Sequence, residues 1–181
     1  MGCSFTNLEC VQRLMSTKST SDYSTSRSTG DKLDVADASG CLSYINTNYH
    51  DDDKPVMQIA VNCYVYNRDR ERLHSHLVQL AMTAYKTPTM RQKYANTMAQ
   101  IVGDELMGKS KNDTEKAKAL GVDKSVYSRC HALVFEAVFS EIFKPISKAD
   151  TLAALYWREC RQGRILSKKI EQNIDNATKK S

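Results

Sequence analysis

No stretch of this chain stays apolar for the roughly 18 residues that a membrane span requires, and its start lacks a basic segment followed by an apolar one. These absences argue against a membrane partner and against secretion, and the expected location is the cytoplasm. The six cysteines (Cys3, Cys10, Cys41, Cys63, Cys130, Cys160) stand singly, without a CxxC pair. That removes the case for a disulfide framework or a zinc ribbon and predicts reduced thiols and no metal. His74-x-His76 and adjacent Cys130-His131 each offer half of a ligand pattern with no second half, so both are read as ordinary surface or core side chains. A Gly-rich phosphate loop, a nucleophile with its base and paired carboxylates are missing too, so neither an enzyme nor a cofactor is expected.

What is present is a globular composition: 41% apolar and 26% charged over 181 residues, close to the averages of about 45–50% and about 25%. The opening MGCSFT fits an N-myristoylation pattern, with Gly2 as acceptor and Cys3 as a site for palmitate. Residues 16–29, STKSTSDYSTSRST, are almost all hydroxyl side chains and carry too little apolar surface to offset the entropy of ordering. The chain stays polar through Asp37 and the acidic run Asp51-Asp52-Asp53, until Pro55 and the apolar stretch from Val56 to Val65. The expected organisation is a disordered, Ser/Thr-rich and acidic segment over 1–55, then a helical domain over 56–181.

Beyond residue 55 helical periodicity dominates. Leu73, Leu77, Leu80, Ala81 and Ala84 share one face, as do Tyr94, Met98, Ile101 and Val102 in the next segment, with Thr87-Pro88 marking a helix start between them. Asp113 or Thr114 is placed to cap a short helix ending at Leu120, and Asp123 to cap a longer one whose Tyr127, Val134, Ala137, Val138 and Ile142 form a stripe. Its far half is expected against the helices at 70–107. Pro145 is expected to end it, Ser147 with Asp150 to open the next helix, and Gly163 to separate that from a last basic helix. The fold class is all-α. Charge is uneven: residues 1–55 hold 5 basic and 8 acidic side chains, and residues 144–181 hold 9 basic and 4 acidic, so the C-terminal end attracts a polyanion.

The segment KAKALGVDKSVYSR, within an expected helix-turn-helix at 113–144, has the parts of a DNA-reading motif. Such a motif needs a small residue where the helices cross, a turn residue tolerant of positive φ, and an apolar residue that packs the second helix onto the first. Ala117, Gly121 and Tyr127 supply these, with Leu120 and Val122 completing the small core. Lys124, Ser125, Ser128 and Arg129 then project from the second helix, where base edges and phosphates are met. Lys116 and Lys118 on the first helix are candidate phosphate contacts. Arg161, Arg164, Lys168 and Lys169 are expected to add affinity without sequence preference.

Several segments taken together resemble the lambda-type Q proteins, the late-gene transcription antiterminators of lambdoid bacteriophages. They are LECVQRLMSTKS, QIAVNCYVYNRDRERLHSHLVQLAMTAY, SVYSRCHALVFEAV and the closing NATKKS after an Ile-spaced basic helix. The resemblance implies a protein that binds a late-promoter DNA element, engages paused host RNA polymerase through its sigma factor and flap region, and travels with it to suppress pausing and termination. It also implies a bacterial host cell, where the enzyme that would myristoylate Gly2 is not expected. The family carries a CxxC zinc-binding insertion ahead of its DNA-binding helix; here GDELMGKSKNDTEKAKALG occupies that interval, and no zinc is carried over. A conventional phage repressor or activator is the alternative, using the apolar residues of 126–143 for a dimer surface, although no heptad zipper is visible. A third class is a DNA-binding packaging adaptor without promoter specificity.

Overall fold

The computed structural model describes residues 5–16 and 34–178, with side chains as far as Gly163, and among these every element is helical. In chain order they are α1 (Thr6–Ser16), α2 (Val35–Asn48), α3 (Lys54–Tyr66), α4 (Arg70–Ala84), α5 (Pro88–Leu106), α6 (Asp113–Leu120), α7 (Lys124–Val126), a π-helical turn (Tyr127–His131) and α8 (Ala132–Thr178). None of these helices is long and apolar enough to cross a membrane.

The periodic stripes put α4 and α5 where the sequence predicts them. Leu73, Leu77 and Ala81 of α4 and Met98, Ile101 and Val102 of α5 are buried. Thr87 starts α5 by accepting from the Met90 N–H at 3.4 Å, with Pro88 in the first turn, where a missing N–H costs nothing. A three-residue link between two such helices returns the second alongside the first.

Around this hairpin runs α8, 47 residues and therefore about 70 Å of helix. Val138, Ile142, Ile146, Ala149, Ala153 and Trp157 form its buried stripe. α8 packs on α4 and α5, as expected for its part before Pro145; Phe143 also packs on Phe5, and beyond the proline Tyr156 packs on Tyr44, so the helix goes on to rest on α1 and α2. The expected stop at Pro145 does not occur. A proline inside a helix costs about 3 kcal/mol, but Ile142, Ile146 and Ala149 lie buried on both sides of it. Each fully buried large aliphatic side chain is worth about 1.5–3 kcal/mol, so continuing the stripe wins. Ser147 and Asp150 open no helix, and Gly163 lies inside α8.

Asp150 instead serves α1. Its Oδ1 accepts from the backbone N–H groups of Asn7 at 3.0 Å and Leu8 at 2.8 Å, and its Oδ2 accepts from Asn7 Nδ2 at 3.0 Å. A carboxylate from a distant helix thus holds the otherwise unpaired N–H groups of the first turn. Phe5, Leu8 and Val11 are buried beneath it. α2 is capped reciprocally by Asp34 and Asp37 and buries Ala38, Cys41 and Ile45. Gly40 lies where a Cβ would collide with the Tyr156 hydroxyl, so its lack of a side chain lets α8 approach.

α1 and α2 correct the boundary drawn near residue 55: both lie inside 1–55 and both contribute to the core. The acidic run is also part of the fold, since Asp51 pairs with Lys148 and Asp53 accepts from the Tyr49 hydroxyl at 2.8 Å. Residues 17–33, which include all but the first residue of the hydroxyl-rich stretch at 16–29, and the MGCS of the acylation pattern lie outside the described residues.

Candidate nucleic-acid interface

Asn112, rather than Asp113 or Thr114, caps α6. Its side chain accepts from the Glu115 N–H at 3.0 Å, while the Glu115 carboxylate accepts from the Asn112 N–H at 2.9 Å. At the other end Gly121 takes φ 66°, and bonds from Gly121 N to Lys118 O and from Val122 N to Ala117 O, both 3.1 Å, close the helix. Positive φ is the reason a glycine suits this position. The chain then enters α7 through extended Asp123, whose side chain makes no capping bond, contrary to the expectation for that residue. Ala117, Leu120 and Tyr127 are buried and Val122 is half-buried.

Of the expected DNA contacts near the turn, Lys118, Lys124, Ser125, Ser128 and Arg129 are all exposed. Arg129 is tethered along its own helix: Nε donates to the Ser125 carbonyl at 3.2 Å, leaving both terminal nitrogens for a partner. The tether sits where α7 widens into the π turn, in which Ala132 N bonds back five residues to Tyr127 O. A shallow hollow between α6 and α7 is lined by Thr114, Lys118, Asp123 and Lys124.

Lys116 does not belong to this surface, which corrects its assignment as a phosphate contact. Its side chain is about nine-tenths buried, with Nζ 3.4 Å from Glu105 Oε2 and 3.6 Å from the centre of the Phe135 ring. Ser110 Oγ donates to the other Glu105 oxygen at 2.8 Å. The group ties α6 to α5 and α8 and fixes the tilt of the helix that precedes the turn. With Lys116 withdrawn, the exposed charges over residues 112–130 are Lys118, Lys124 and Arg129 against Asp113, Glu115 and Asp123, three of each sign. This stretch therefore carries no net charge among its exposed side chains.

Behind the helix lies an aromatic cluster that the sequence reading did not identify. Tyr127 is buried, and the loss of water raises its phenol to about 12. His131 is buried as well; its Nδ1 lies 2.8 Å from the Tyr85 hydroxyl, and the rings of Tyr85 and Tyr94 meet it edge-on. Burial lowers the His131 pKa, so the ring is held neutral. The Asn112-x-x-Glu115 box was legible as a pattern, whereas nothing local marks Glu105, eleven positions before Lys116, as its partner.

The expected affinity residues are spread along the end of α8. Arg161 is exposed beside a small hollow formed with Asn7, Trp157 and Arg158. The side chains of Arg164, Lys168 and Lys169 lie outside the described residues. Cys130 is exposed while His131 points into the core, and His74 Nε2 lies 2.8 Å from Asn96 Oδ1. Among the described residues no three His, Cys, Asp or Glu side chains converge on a common point that would hold a metal. Glu136 and Glu141 are exposed on α8, the latter paired with Lys144 at 3.4 Å. No family model, curated protein or solved structure matches the chain.

Proposed function

We propose that this chain is a bacteriophage transcription antitermination factor that reads a late-promoter DNA element and joins host RNA polymerase to suppress pausing and termination. The observation that carries the DNA-binding step is the exposed row Lys124, Ser125, Ser128 and Arg129, mounted over a buried Ala117–Leu120–Tyr127 core across a positive-φ glycine turn. Arg129 presents a guanidinium fork of the kind that bonds guanine bidentately, and the serines bond bases or backbone. Lys118 and the basic residues late in α8 meet phosphates. The polymerase step rests on the resemblance of LECVQRLMSTKS and SVYSRCHALVFEAV to the lambda-type Q proteins.

The test is transcription in vitro from the cognate late promoter through a downstream terminator, with the protein added before or after initiation. Read-through that requires the promoter element is expected. Altered initiation without read-through would replace this reading with that of a conventional regulator. One observation favours that second reading: Leu133 is 77% exposed, and Cys130 and Ala137 on the same side of the helix are exposed too, as a dimer surface would require.

A further inference from the structure

A cleft of about 170 Å³ opens between α4 and the C-terminal half of α5, away from the α6–α7 turn. Leu73 and Leu77 form its apolar floor, Met107 a half-buried wall, and Gly103 leaves one side of it without a side chain. Two exposed cations line it, Arg70 at the start of α4 and Lys109 just past the end of α5. Backbone geometry sets the second of these. Gly108, at φ 74°, reverses the chain, and the Lys109 N–H bonds back to the Asp104 carbonyl at 2.8 Å.

The charge around the cleft is unbalanced. Asp104, its one carboxylate, is engaged by Lys111 at 2.6 Å. His74 faces Asn96, and neither Arg70 nor Lys109 has an ion pair among the described residues. Unpaired cations beside an apolar floor call for a ligand that brings both an apolar group and a negative charge.

Size and lining narrow the class of ligand. At about 170 Å³ the cleft falls below the roughly 300–1,000 Å³ of sites that enclose drug-sized molecules. One or two side chains of a polypeptide fit it better. A nucleic acid would use the cations but not the aliphatic floor; no Phe, Tyr or Trp lines the cleft for a base to stack on, and its one ring, His74, is hydrogen-bonded to Asn96.

We infer that this cleft docks an acidic peptide segment of a partner protein, with a Leu, Ile, Met or Phe side chain on the Leu73–Leu77–Met107 floor and flanking carboxylates on Arg70 and Lys109. The inference is independent of the DNA reading, since it uses different residues on a different pair of helices.

The experiment is selection of a random phage-displayed dodecapeptide library on the full-length chain, followed by fluorescence anisotropy with the enriched peptide. The variants are Arg70→Glu with Lys109→Glu, Gly103→Ala and Arg129→Ala. Enrichment of sequences with Asp or Glu around an apolar anchor is expected. Affinity falls about tenfold or more in the charge-reversed variant and weakens as salt screens the contacts. Gly103→Ala, whose methyl meets only Leu77 Cδ1 at 3.7 Å, narrows the cleft without touching its charge and reduces affinity several-fold. Arg129→Ala leaves peptide binding unchanged. Enrichment of peptides without acidic residues, equal binding to the charge-reversed variant, or no enrichment at all would overturn the inference. So would displacement of the peptide by duplex DNA acting through Arg70 and Lys109.

Discussion

Replacing Asp150 with alanine tests whether α1 belongs to the folded core, and its size follows from the contacts removed. The change deletes the acceptor for two backbone N–H groups, at Asn7 and Leu8, and for Asn7 Nδ2. Losing a helix cap typically costs about 0.5–2 kcal/mol, and a hydrogen bond to a charged group about 1.5–3 kcal/mol. The donors are only partly buried, so water recovers some of this, and a total of about 2–4 kcal/mol is expected. With a urea slope of about 2 kcal/mol per molar, the unfolding midpoint falls by about 1–2 M. Against a domain stability of about 5–15 kcal/mol the variant still folds. Asp150→Asn, which keeps one acceptor oxygen, recovers part of the loss. Hydrogen exchange supplies the local readout, with α1 amides exchanging faster in Asp150→Ala while α4 and α5 stay protected. A midpoint shift below about 0.3 M with unchanged α1 exchange would refute the reasoning.

Arg129→Ala, at an exposed position, should leave the unfolding midpoint unchanged and cost about 1–3 kcal/mol of discrimination at a single base pair, read by mobility shift on single-substituted sites. Lys116→Ala strands the buried Glu105 carboxylate and should destabilise by about 3–5 kcal/mol; adding Glu105→Gln should return part of that, measured by urea unfolding of both variants. His131 gives a pH dependence with a defined sign. Burial lowers its folded-state pKa, so below the unfolded value of about 6.5 the unfolded chain takes up a proton that the folded one refuses. Stability from this group is complete above about pH 6.5 and is lost as pH falls through the lowered folded-state pKa; His131→Gln should flatten that part of the profile of urea midpoint against pH.

The central helices were legible because their apolar side chains are large and evenly spaced: Leu73, Leu77 and Ala81 leave one reading of α4. Gly121 was legible for a different reason, since a glycine between two short helical patterns has few roles other than a positive-φ turn. α2 was not, although Ala38, Cys41, Ile45 and Tyr49 follow helical spacing, because small side chains and Gly40 make a weak hydrophobic signal. Its stability comes from close approach to α8, which local sequence does not encode. α1 carries Leu8 and Val11 three apart, but its polar neighbours and the hydroxyl-rich stretch after it dominate the window. Pro145 misled in the opposite direction: a local rule gave way to a buried stripe extending past it on both sides. At the candidate interface, exposure of Lys118, Lys124 and Arg129 followed from helix phase, while the inward turn of Lys116 required Glu105 and Phe135 from two other helices.

In the proposed function, residues 124–129 read DNA sequence. The most direct measurement is selection from a random pool of double-stranded DNA by the full-length chain, run in parallel with Arg129→Ala. A defined enriched motif is expected for the unaltered chain and, for the variant, the same motif with one position relaxed. Absence of any enriched motif, or one that Arg129→Ala leaves unchanged at every position, would contradict it.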